Sequence, residues 1–185
     1  MPNELTHHYS RLIEIFNDCF RTRYNTVLVA GDDEPYYEPG KGGEPNKVVF
    51  AHGFFASALH ETAHWCIAGE KRRQQFDYGY WYEPDGRNEQ QQREFEQVER
   101  KPQALEWLFS LCAGFKFDVS VDNLSGVEVD RHAFREAVAK QLENYLATDT
   151  LPPRAKIFAK ALCKAFNCEW PSGQVAKWPS GQVAK

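Results

Sequence analysis

Two histidines four residues apart, in His60-Glu61-Thr62-Ala63-His64, carry the clearest chemical meaning in this chain. On an α-helix, residues i and i+4 lie one above the other, so both imidazoles can reach one metal ion. Glu61 follows about 100° round the helix, close enough to reach a water on that metal. The neighbours Ala56, Leu59, Ala63 and Ile67 are small or apolar, which predicts a helix buried on or beside its histidine face. Buried imidazoles need partners, and a metal supplies one. His52, just ahead of the helix, reads as a turn residue, and His7, His8 and His132 read as exposed.

Two histidines leave a divalent ion short of ligands, so a third protein group is expected from elsewhere. The helical stretch 88–113 puts Phe95, Val98, Leu105 and Phe109 on its apolar face, and residues 92–107 are the place to look. Glu96, Glu99, Gln103 and Glu106 then form a stripe along the border of that face. Glu99 is central in the stripe and is the expected ligand, with Glu96 second.

Two histidines and a carboxylate fit two chemistries. One is a zinc hydrolase, with Glu61 taking the proton from water as general base. The other is a non-haem iron oxygenase, whose metal keeps three open positions. A third reading, from another class, is a non-catalytic binding protein with structural histidines.

The surrounding elements predict an α+β fold in a single domain, with a small sheet and several helices. Residues 7–20 have helical apolar spacing, and 25–30 and 47–51 are short β-branched strands separated by a loop rich in Gly, Pro and acid. The histidine helix spans about 57–68, set directly after a strand as in metallopeptidases, and is stopped by Gly69. Residues 76–87 read as strand then turn. Further helices follow at 88–113, interrupted by Pro102, at 130–147 with Asp130 as N-cap, and at 154–166. Residues 1–167 form the expected catalytic domain. Residues 168–185 form an expected exposed tail, in which Trp170–Lys177 recurs as Trp178–Lys185.

Aromatic residues make up 14% of the chain, which predicts a ring-rich core or binding face. A formal charge of −4 gives no support to nucleic-acid binding. No apolar run is long enough to span a membrane, and the first residues do not read as a secretory leader. Five scattered cysteines fit reduced thiols, with Cys163 and Cys168 the one pair close enough to question. The expected compartment is the cytoplasm.

Several longer strings fix the family more narrowly. Val49-Phe-Ala-His-Gly-Phe54, His64-Trp-Cys-Ile-Ala-Gly69, Gly79-Tyr-Trp-Tyr82, Pro84-Asp-Gly-Arg87 and Lys101-Pro-Gln-Ala-Leu105, with shorter ones from His7 onward, resemble the bacterial elongation factor P hydroxylase family. The resemblance runs from about residue 7 to 166. It implies Fe(II) rather than zinc, with ligands at His60, His64 and Glu99. It also implies hydroxylation of the β-lysylated lysine of elongation factor P. For that cationic side chain the sequence offers Asp32 and Asp33 on the acidic loop. Tyr36, Tyr80 and Trp81 are the aromatic residues expected to hold its stem.

Overall fold

The computed structural model describes residues 6–78, 85–121, 123 and 125–172. Its elements run in the order α1 (Tyr9–Tyr24), β1 (Thr26–Ala30), β2 (Tyr36–Glu38), β3 (Asn46–Phe50), α2 (Phe55–Ile67), α3 (Glu89–Ala113), α4 (Arg131–Thr148) and α5 (Pro153–Phe166). The class is α+β. The sheet has strand order β1-β3-β2. β1 pairs with β3 in parallel, Thr26 opposite Asn46 through Ala30 opposite Phe50. β2 pairs antiparallel on the other side of β3, Tyr36 opposite Val49. β2 lies inside the stretch expected to be loop. Three residues between prolines and glycines give too little alternation to read, and cross-strand pairing alone makes them a strand.

α3 is the spine, packed against α2, α4 and α5. It starts at a reciprocal capping box between Asn88 and Gln91 and runs for 25 residues. Pro102 was expected to interrupt it and does not. A proline in a helix interior costs about 3 kcal/mol. Here every residue from Pro102 to Ala113 is buried, so tertiary packing holds the helix through the lost hydrogen bond. The expected amphipathic face is corrected as well. Val98 is exposed, whereas Gln92, Phe95, Glu99, Gln103 and Glu106 line one buried face.

Rings make much of the core, as the composition predicts. Phe16 and Phe20 of α1 meet Trp65 of α2 with centroids 5.2 and 4.8 Å away, and Phe109 of α3 meets Phe158 of α5 at 4.9 Å. α1 is tied to β1 where Asn17 Oδ1 accepts from the Leu28 amide at 3.1 Å. Asp130 caps α4 by accepting from the Ala133 amide.

The end of α2 differs from the expected glycine stop. Gly69 is absent from the positive-φ residues, so it is not a left-handed cap. Instead Arg154 of α5 donates to the Trp65 and Ala68 carbonyls, each at 2.6 Å, from a position only 9% exposed.

His7 is half-buried rather than exposed. Its Nε2 lies 2.8 Å from the Ala113 carbonyl, and its ring packs among Phe55, Phe115 and Phe166. All five cysteines are free, Cys163 and Cys168 included. Burial pushes the Cys66 thiol up to about 12, which suits a core thiol. At the start of the expected tail Pro171 is buried, while 173–185 lie outside the described residues. No helix among the described residues is long and apolar enough to cross a membrane.

Candidate metal centre

α2 begins one turn after β3. That turn needs left-handed backbone at His52 (φ 55°) and Gly53 (φ 73°). A Cβ on Gly53 would also stand 2.8 Å from the Tyr9 ring, so glycine is required there on two counts. Ser57 Oγ accepts from the Ala51 amide at 3.0 Å and locks the junction. Leu59, Thr62, Ala63 and Cys66 then bury one flank of α2, while Ala56 is exposed. His60 and His64 project from the edge of that buried flank toward α3.

There they meet Glu99. His64 Nε2 lies 3.0 Å from Glu99 Oε1, His60 Nε2 lies 3.7 Å from Glu99 Oε2, and the two Nε2 atoms are 3.1 Å apart. One ligand atom from each residue lies within 4.8 Å of the others. Ligands bound at ordinary metal–nitrogen and metal–oxygen lengths sit about 3.0–3.4 Å apart in octahedral or tetrahedral arrangements. The three side chains therefore fit one ion between them. Glu99 itself is 1% exposed, a costly place for a carboxylate without a cation.

Glu106 adds a contact that sequence reasoning left without a role. Its Oε1 lies 2.6 Å from His60 Nδ1. A carboxylate on Nδ1 fixes the proton there and turns Nε2, with its lone pair, toward the centre. The spacing carried a signal, because Glu99 and Glu106 are seven residues apart and share a helix face.

Glu61 lines a cavity of about 30 Å³ together with Tyr36, Tyr37, His64, Arg72 and Asp77. That is room for one or two water molecules. Burial pushes the Glu61 carboxyl above its usual range, against the pull of His60 and His64 and with the help of Glu99 and Glu106. Tyr36 thus lines the cavity that Glu61 and His64 share, and Asp32 and Asp33 do not line it. Asp32 and Asp33 are exposed, and Asp33 Oδ1 pairs with His52 Nε2 at 2.8 Å. Tyr80 and Trp81 lie outside the described residues. Glu96, the second choice of ligand, is not in the cluster; it faces Gln92 and Arg87.

The protons of the centre make a measurable prediction. Burial alone would lower the His60 imidazolium, but Glu99, Glu106 and Glu61 outweigh it and raise it from 6.5 to about 10. At pH 8 the metal-free protein therefore holds a proton on His60 that a metal must displace. Protons compete with the ion below pH 10, so affinity should rise about tenfold per pH unit toward that value, with about one proton released per ion. Calorimetric titration with Co(II) in two buffers of different ionisation enthalpy measures the release. A count of zero would show that His60 is neutral beforehand.

Comparison with known proteins gives the family. Residues 15–175 match the sequence model of the elongation factor P hydroxylases. A Haemophilus influenzae protein named elongation factor P lysine hydroxylase is 50% identical over 166 residues, covering 89% of this chain and 93% of the relative. Matched along most of its length, this chain belongs to the elongation factor P hydroxylase family.

Proposed function

We propose that this chain hydroxylates the β-lysylated lysine of elongation factor P at a non-haem Fe(II) centre held by His60, His64 and Glu99. The observation that carries the metal reading is the meeting of two imidazoles from one helix with a buried carboxylate from another. Family membership carries the reaction and the protein substrate. When bound, the iron supplies the activation of dioxygen, one atom of which enters a C–H bond while the other leaves as water with two electrons and two protons from a reductant.

The chain's own residues do the rest. His60 and His64 offer Nε2 lone pairs, and Glu106 keeps the His60 ring in the tautomer that allows this. Glu61 stands at the cavity beside His64 as an orienting group, its carboxyl pushed above its usual range by burial. Tyr36 and Tyr37 wall the same water-sized cavity, and Tyr36 is the ring we propose for contact with the substrate's aliphatic stem and ammonium outside it. Asp32 and Asp33 on the exposed loop, with Tyr80 and Trp81, complete the proposed substrate contacts. The proposed site of action is the cytoplasm, where a translation factor would be met.

Intact-mass analysis of elongation factor P co-expressed with this chain tests the reaction. The β-lysylated form should gain the mass of one oxygen, and the unmodified form should not. A gain on neither form would refute the proposal, and a gain on both would refute the need for β-lysylation. Glu61→Gln separates this chemistry from zinc hydrolysis. The variant should retain metal and a measurable part of the hydroxylation, because an amide can still orient a neighbour. A metal-loaded but wholly inactive Glu61→Gln would bring back the general base.

A further inference from the structure

Gln103 is a 1% exposed amide one helical turn after Glu99 on α3. Its orientation is fixed by the backbone of Ser120. The Ser120 N–H can only donate, and it meets Gln103 Oε1 at 2.9 Å. The other end of the amide is therefore the NH2 group, with two hydrogens to place. One goes to the Ser120 carbonyl at 2.7 Å, and the other to Glu99 Oε2 at 3.3 Å. Val119 and Val121 are buried on either side of Ser120, so this anchor is rigid.

We infer that Gln103 is a positioning residue that holds Glu99 to binding the metal through Oε1 alone, by donating to Oε2 from a fixed amide. The inference rests on the metal reading above. Oε1 faces His64 at 3.0 Å and Oε2 faces His60 at 3.7 Å, so both oxygens can reach an ion between the imidazoles unless one is held back. A carboxylate engaged through both oxygens fills two positions round an ion. Held to one oxygen, it leaves a position more for a reactant, which a facial set of three protein ligands exists to provide. Outer groups of this kind commonly govern metal affinity by about 10–100-fold. Gln103 and Glu106 divide the task. Glu106 sets the tautomer of His60, and Gln103 sets the reach of Glu99.

The test uses the full chain, stripped of metal and titrated with Co(II), whose visible spectrum reports coordination number and geometry. The parent should bind one ion. Gln103→Leu removes the donor while filling similar volume, and Gln103→Met replaces it if the leucine variant fails to fold. The variant should bind Co(II) about 10–100-fold more weakly. Its visible band should change in position and intensity as the carboxylate swings to engage through both oxygens. Thermal unfolding of the metal-free forms is measured alongside, to separate loss of positioning from loss of fold. Unchanged affinity and spectrum in a folded variant would overturn the inference. So would weaker binding with an unchanged spectrum, since that gives Gln103 a structural part only. A parent that binds no Co(II) would instead remove the metal reading, and this inference with it.

Discussion

Glu99→Ala should lose metal affinity on the order of a thousandfold or more and, with it, all hydroxylation, while remaining folded. Loss of a direct ligand must exceed the roughly 10–100-fold that outer groups contribute. His60→Ala and His64→Ala should behave alike, because each leaves two ligands where a divalent ion needs at least three. Alanine is a good helix former, so α2 and α3 have no backbone reason to melt at these positions. Glu99→Ala also removes the partner of His60 and His64 in the metal-free protein, so some stability is lost and unfolding of the metal-free variant is measured alongside. Metal analysis with circular dichroism reads both halves of the expectation. Glu96→Ala is the control; its carboxylate faces Arg87 and Gln92 and should leave metal content at the parental level. Parental metal in Glu99→Ala would mean that another group closes the site.

The second large effect concerns stability and lies outside the ligands. Arg154 spans two carbonyls at the end of α2 and sits over the Trp65 ring, 4.5 Å from its centroid. Hydrogen bonds from a charged donor are worth about 1.5–3 kcal/mol each, and the cation–ring contact adds about 1 kcal/mol. The methionine stem recovers some packing, so Arg154→Met should cost about 3 kcal/mol, or about 6–12 °C in melting temperature. Arg154→Lys should recover only part of this, because one ammonium cannot match a fork that reaches both carbonyls. Urea and thermal unfolding of the metal-free protein would measure it. A Met variant as stable as the parent would show that water answers the two carbonyls equally well. The helix end concerned begins one residue after His64, so metal affinity should weaken as the end frays.

The helices were legible because each announces itself locally. Apolar spacing marks α1, and Asp130 marks the start of α4. The stretch 88–113 was legible as helix but not as one helix. Pro102 is a stop signal by its own chemistry, and only burial on all sides of 102–113 overrides it. Strand β2 was illegible for a related reason. Its three residues become a strand by pairing with β3, and pairing is a property of two segments.

For the candidate site, sequence alone determined the donor types and their local geometry. A period of 3.6 residues sets His60 and His64 on one face, and sets Glu99, Gln103 and Glu106 on another, whatever the rest of the chain does. The sequence ranked Glu99 over Glu96 only by its central place in the stripe and could not show which carboxylate meets the imidazoles. Tertiary structure decided that. The packing of α3 on α2 turns Glu99 toward the imidazoles, leaves Glu96 beside Arg87, and gives Glu106 to His60 Nδ1. It also left Asp32 and Asp33 exposed on their loop, Asp33 paired with His52. The physical reason is range. Helix periodicity acts over one or two turns, whereas a metal site needs atoms about 3 Å apart from segments some forty residues apart, and only the packed core fixes that separation.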